Sequence, residues 1–95
     1  MADYFLFPKI SSEVNTILII DDDEINRGIL SHLFAESYTI QEAENGKEGL
    51  EAVMKHQQRL CAILLDVLMP EMSGLEVLRR LKDAGILERI PVFLI

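Results

Sequence analysis

Three segments, Ile17–Ile20, Ala62–Leu65 and Val92–Ile95, are unbroken runs of four apolar residues, and this pattern constrains the fold more than any other feature. A strand with one wet face alternates polar and apolar residues. A strand that is apolar throughout must be covered on both faces, as in parallel sheets sandwiched by helices. Tyr38–Ala43, between the first two runs, mixes polar and apolar positions and suits the edge of such a sheet.

The gaps between these strands carry helix signals. Asn45 precedes Glu48 by three residues and Ser73 precedes Glu76 by three, each an N-cap with an acid at the capping-box position. Gly85 stands where a left-handed C-cap would end a helix near Gly74–Ala84, whose expected apolar face is Leu75, Leu78 and Leu81. An earlier helix, about Glu24–Glu36, spreads Ile25, Ile29, Leu30, Leu33 and Phe34 over an arc of about 180°. That arc is wider than one sheet contact needs, so the helix is expected to meet a neighbouring helix or another chain as well. Gly28 sits inside it, and close packing is one account of that glycine. Strand and helix alternating through four strands, joined by right-handed crossovers, make an α/β doubly wound parallel sheet.

Length and charge narrow the class further. Ninety-five residues hold one domain, and 49% hydrophobic with 26% charged residues is a globular composition. Nine Lys+Arg against 16 Asp+Glu leave a net charge of −7, which disfavours contact with nucleic acid or anionic lipid. Cys61 is the single cysteine, so no internal disulfide can form, and no apolar run approaches the roughly 20 residues of a membrane span. The expectation is a cytoplasmic protein without a membrane segment or a targeting peptide. Residues 1–15 are read as an N-terminal extension, interrupted by Pro8 and Ser11-Ser12, and residues 16–95 as the folded unit. Tyr4, Phe5 and Phe7 in the extension either fray or dock on the domain or a partner.

The chemistry is concentrated where strands end. Asp21, Asp22, Asp23 and Glu24 follow the first strand and Asp66 follows the third. Both positions lie at the carboxyl edge of a doubly wound sheet, where ligands bind, and the two strands become neighbours when the second strand winds outward. Asp23 and Glu24 fit the start of a helix, as cap and dipole partner. Asp21 and Asp22 exceed that need, and Asp66, ending an apolar strand, is costly to bury unless paired or set in a cleft. Several carboxylates in one crevice repel one another, so a hard cation such as Mg²⁺ is expected among them. Pro70 keeps Met69 out of the helical region, a geometry that can turn a main-chain carbonyl, that of Leu68, towards the same cation.

These residues carry a family resemblance. The segments Ile17-Leu18-Ile19-Ile20-Asp21-Asp22-Asp23-Glu24, Glu42-Ala43-Glu44-Asn45-Gly46 and Leu64-Leu65-Asp66-Val67-Leu68-Met69-Pro70-Glu71-Met72-Ser73-Gly74 resemble the receiver domain of bacterial two-component response regulators, over about Thr16 to Ile95. The resemblance implies a flavodoxin-like sheet of strand order 2-1-3-4. It makes Asp66 the phosphoacceptor, fed by a histidine kinase or phosphotransfer protein. It also gives Mg²⁺ direct ligands in Asp22, Asp66 and the Leu68 backbone carbonyl, with Asp21 acting mainly through water. Such domains usually continue with a Ser or Thr after the fourth strand and a Lys after a fifth. With the sequence ending at Ile95, the fifth strand and the last two helices are expected to be absent, stable phosphorylation to be impaired, and the chain to self-associate through the apolar surface they would cover. Lys55 and Lys82 lie on helices away from the carboxyl edge and are poor substitutes.

Two other readings compete. Asp21-Asp22-Asp23-Glu24-Ile25 resembles the strand-end motif of haloacid-dehalogenase-type phosphatases, with Asp21 as nucleophile and Asp23 as general acid. It leaves Asp66, Met69-Pro70 and Gly74 unexplained. The other is a receiver-like interaction module that never takes phosphate, which does not account for Asp21, Asp22 and Asp66 occurring together. The favoured reading is a phosphoacceptor, not an enzyme. His32 and His56 lack partners at metal spacing, and Cys61 reads as a core thiol.

Overall fold

A computed structural model describes residues 13–95; Tyr4, Phe5 and Phe7 lie outside the described residues. The element order is β1 (Thr16–Ile20), α1 (Glu24–Phe34), β2 (Thr39–Ala43), α2 (Gly46–His56), β3 (Leu60–Leu65), α3 (Gly74–Asp83), a 3₁₀ turn (Ile86–Glu88) and β4 (Val92–Leu94). The four strands are all parallel in the order β2-β1-β3-β4: the parallel sheet is the one expected from the apolar runs, and its order the one the resemblance implies.

Alternation along the central strands explains the two-sided core. Leu18 and Ile20 of β1 with Ile63 and Leu65 of β3 pack against Val53 of α2, Val77 and Leu81 of α3, and Ile86 and Ile90 beyond it. The intervening residues Ile17, Ile19, Ala62 and Leu64 point the other way, with Leu30 and Phe34 of α1 and Tyr38. Every residue of β1 and β3 is buried, so each strand contributes apolar area on both faces at about 25 cal/mol per Å² removed from water.

The local signals are realised as caps. Asn45 Oδ1 accepts from the Glu48 N–H at 2.8 Å and Ser73 Oγ from the Glu76 N–H at 3.3 Å. Gly85 adopts φ 76°, the left-handed conformation that only glycine takes without cost, and turns the chain from α3 into the 3₁₀ turn.

Several details differ from the sequence reading. Leu75 is 57% exposed; an i, i+3, i+6 series drifts round a helix by about 60° per step, and the face that meets the sheet is Val77 and Leu81, with Leu78 beside it. Tyr38 precedes β2 instead of belonging to it: its N–H donates to Phe34 O at 2.9 Å, and its ring meets that of Phe34 edge-on at 6.4 Å. β3 begins at Leu60, and the β1–β3 register slips by one residue there, Thr16 facing Leu60 and Ile17 facing Ala62, so Cys61 is the extra residue of a bulge. A Cβ at Gly28 would meet nothing within 4 Å, so close packing does not explain that glycine. Val14 packs into the core beside Ile17 and Ile19, so the ordered unit reaches back into the segment read as an extension.

The width of the α1 apolar arc has a structural counterpart. Leu30 and Phe34 reach the sheet, while Ile25, Ile29 and Leu33 are 72%, 58% and 64% exposed. No helix among the described residues is long and apolar enough to cross a membrane.

Candidate functional site at the carboxyl edge

The parallel ladder brings the acids together. Ile20 of β1 faces Leu65 of β3, and the pairing continues one step beyond, with the Asp66 N–H donating to Ile20 O at 2.9 Å. On the other side of β1, the Asp21 N–H donates to Ala43 O at 3.1 Å. Asp21 and Asp66 therefore leave adjacent strands side by side, about 5 Å apart in backbone spacing. Carboxylate oxygens of Asp21, Asp22 and Asp66 all lie within 4.8 Å of one another.

The members of the trio differ in their surroundings. Asp21 is buried at 3% exposure, and its Oδ1 accepts the Asp23 N–H at 2.9 Å. Asp22 is exposed and Asp66 half-buried. Oδ1 of Asp66 accepts the Leu68 N–H at 3.1 Å. Burial pushes the Asp66 carboxyl above the usual carboxylate range and the Asp21 and Asp22 carboxylates add to that, while the Leu68 bond pulls it back only in part. Asp23 is not part of the cluster. Its Oδ1 accepts from the Ile25 N–H at 2.9 Å and caps α1, as its position after the strand predicts.

Asp66 and Asp21 open into a recess of about 250 Å³, whose other walls are Asn26, Ile29, Leu30 and Ile95. A larger recess, about 460 Å³, lies at the opposite, amino edge between Val14, Thr16, Thr39 and Arg59 and includes none of Asp21, Asp22 and Asp66. The turn from β3 into α3 is tight. The Gly74 N–H donates to Val67 O at 2.9 Å, and Glu71, next to Pro70, has φ 65°, a conformation uncommon outside glycine. Lys55 and Lys82 are exposed on their helices.

Sequence reading missed one residue here, Arg27. Its Nη1 donates to the Asp21 carbonyl at 2.7 Å and its Nε to Glu42 Oε1 at 3.1 Å. The signal was a basic residue in α1 just after the strand-end acids, matched by an acid near the end of β2. Only the sheet order makes that pair visible.

Chemically, three convergent carboxylates form a hard-oxygen donor set suited to Mg²⁺, with Asp21 and Asp66 lining a recess open to an incoming group. A family model described as the response regulator receiver domain matches residues 17–95. The chain is 43% identical over 77 residues to a probable cyclic di-GMP phosphodiesterase of Vibrio cholerae, covering 81% of this chain and 17% of that protein. It is also 43% identical over 70 residues to the transcriptional regulatory protein SrrA of Staphylococcus aureus, covering 73% of this chain and 28% of SrrA. The N-terminal domain of a response regulator receiver protein from Methanoculleus marisnigri JR1 superposes with a TM-score of 0.76 at 30% identity, over 85% of this chain and 65% of that one. The chain thus spans well under a third of either curated relative. With the parallel sheet and the acidic edge, these matches make the chain a member of the response regulator receiver domain family, the phosphoacceptor unit of two-component signalling.

Proposed function

We propose that Asp66 is the phosphoacceptor and that it takes a phosphoryl group from a phosphohistidine on a histidine kinase or phosphotransfer protein. The observation that carries this reading is the meeting of Asp21, Asp22 and Asp66 oxygens within 4.8 Å at the mouth of a recess. Asp22, Asp66 and the Leu68 backbone carbonyl would hold Mg²⁺ directly, and Asp21 mainly through water. The donor set fits, since it is all oxygen and in excess of nearby positive charge. When bound, Mg²⁺ neutralises charge on the transferring oxygens.

Asp66 supplies the rest. With Oδ1 held by the Leu68 N–H, Oδ2 is the oxygen that attacks phosphorus in line. The new O–P bond gives an acyl phosphate as the P–N bond breaks, and the imidazole nitrogen leaves with the electron pair. The domain is an acceptor altered by each transfer, not a turnover enzyme. Its added charge, about −1.5 to −2, biases a two-state equilibrium of the fold. The net charge of −7 makes direct nucleic-acid contact unfavourable, and a cytoplasmic location suits the proposed phosphodonor. The exposed Ile25, Ile29 and Leu33 stripe supports self-association.

Incubation with acetyl phosphate and Mg²⁺, followed by peptide mass spectrometry, tests the assignment. One phosphoryl group on Asp66, lost in Asp66→Asn, is expected. Modification of Asp21 instead would favour phosphatase-type chemistry. No modification of any aspartate would favour an interaction module.

A further inference from the structure

Arg27 is only 12% exposed although it sits on a helix whose neighbouring positions face solvent. Its guanidinium bridges two strands. Nη1 takes the Asp21 carbonyl at the end of β1, and Nε takes Glu42 Oε1 near the end of the edge strand β2. The other oxygen of Glu42 accepts from Ser31 Oγ at 2.8 Å, one turn further along α1. Arg27 and Ser31 thus fix both oxygens of Glu42, and Glu42 in turn fixes the fork of Arg27.

The bonded carbonyl belongs to the planar peptide joining Asp21 to Asp22. The N–H of Asp21 is already committed to Ala43 O, and its Oδ1 to the Asp23 N–H. With the carbonyl held as well, the peptide that aims the Asp22 side chain at the cluster has little freedom left. Glu42 has a second effect. Its carboxylate pairs with the Arg27 guanidinium at 3.1 Å, so the charge of Arg27 is matched by Glu42 and not by the three carboxylates.

We propose that Arg27 is a positioning residue for the acidic pocket, anchored by Glu42, and that it orients the Asp21–Asp22 peptide so that Asp22 meets a divalent cation together with Asp66. The inference rests on the reading of Asp21, Asp22 and Asp66 as a Mg²⁺ site. A structural clamp of α1 onto β2 would lower stability when cut but leave the affinity of the folded protein for Mg²⁺ unchanged. A positioning residue shifts that affinity.

The test is calorimetric Mg²⁺ titration of the full chain, paired with melting curves taken without metal. Arg27→Met is expected to weaken Mg²⁺ binding about 10-fold or more, the usual effect of removing a partner just outside the ligands. Arg27→Lys, whose point charge cannot span both acceptors, should fall between it and the wild type. Glu42→Gln should weaken binding because Arg27 is released towards the carboxylates. Wild-type affinity in folded Arg27→Met, with binding lost in Asp22→Asn, overturns the positioning role alone. Wild-type affinity in Asp22→Asn removes the metal-site reading and this inference with it. Should Arg27→Met not fold, Arg27→Lys and Glu42→Gln decide: unchanged affinity in both overturns the proposal, and weakened affinity in both supports it.

Discussion

The backbone N–H of Leu68 donates to Oδ1 of Asp66 at 3.1 Å, two residues back along the chain. This short loop aims the carboxylate before any ligand arrives, and it opposes part of a larger cost. Burial, together with the neighbouring Asp21 and Asp22 carboxylates, raises the Asp66 carboxyl above its ordinary range. An acid with a raised folded-state pKa binds its proton more readily folded than unfolded. Its charge therefore costs stability above the folded value, and the cost disappears as pH falls through that value towards the unfolded one.

Asp66→Asn should consequently stabilise the metal-free protein. The amide keeps the shape and an oxygen for the Leu68 N–H but removes the charge that burial and the neighbouring carboxylates disfavour, so the variant should melt higher than the wild type at neutral pH. Melting curves across pH should show the gap between variant and wild type narrowing as the solution is acidified through the Asp66 titration. With saturating Mg²⁺ the wild type should recover the difference.

Asp23 and Asp22 are neighbours with different work, and substitution should separate them. Asp23→Ser keeps an N-cap acceptor for the Ile25 N–H and should leave phosphorylation by acetyl phosphate within about two-fold of wild type, against the 10²–10⁴-fold expected for loss of a general acid. Asp22→Asn should abolish Mg²⁺-dependent stabilisation. A large loss of phosphorylation in Asp23→Ser would revive the reading in which Asp23 is that acid.

The strands and caps were legible because each is written locally: the apolar runs of β1 and β3 have no other use than burial on two faces, and Asn45 and Ser73 bond three residues ahead. The convergence of Asp21, Asp22 and Asp66 was also legible, since the runs mark where β1 and β3 end and the family resemblance supplies the order that puts those ends side by side. Arg27 was not, because its partner Glu42 lies across β1 and becomes a neighbour only through sheet order. Leu75 was misplaced for a different reason. Its spacing to Leu78 suits a helix face, but Val77 and Leu81 lie closer to the line of contact. The left-handed Glu71 had no sequence signal, glycine being absent there.

Gly74 is the point where α3 starts against the strand-end loop. A Cβ there would overlap the Asp66 carbonyl and lie 2.7 Å from Val67 Cα, and backbone cannot step aside as a flexible side chain can. Gly74→Ala should cost about 1–3 kcal/mol in urea unfolding and, because the displaced atoms belong to Asp66 itself, should weaken Mg²⁺ binding as well. Unchanged stability would mean that the loop yields without strain.

On the outer face of α3, Arg79 and Arg80 hold the Glu76 carboxyl down at about 2. A depressed acid contributes stability above its unfolded value near 4.5, and that contribution is lost as pH falls from there towards 2. The cluster is solvent-exposed and screened by salt, so the change in stability should be small. The titration is the clearer readout. Carboxyl NMR should show the Glu76 midpoint near 2 at low ionic strength, moving up in Arg79→Gln.

The stripe of Ile25, Ile29 and Leu33, all more than half exposed, repeats every four residues along α1 and so forms one continuous apolar ridge. Ridges of this kind on a folded surface favour association through burial of their area. Sedimentation equilibrium should show the weight-average mass rising with concentration. Ile29→Lys combined with Leu33→Lys should restore the monomer mass without lowering the melting temperature, since neither side chain contributes to the core. A wild-type chain that stays monomeric across the concentration series would remove self-association from the reading while leaving the Asp66 chemistry untouched.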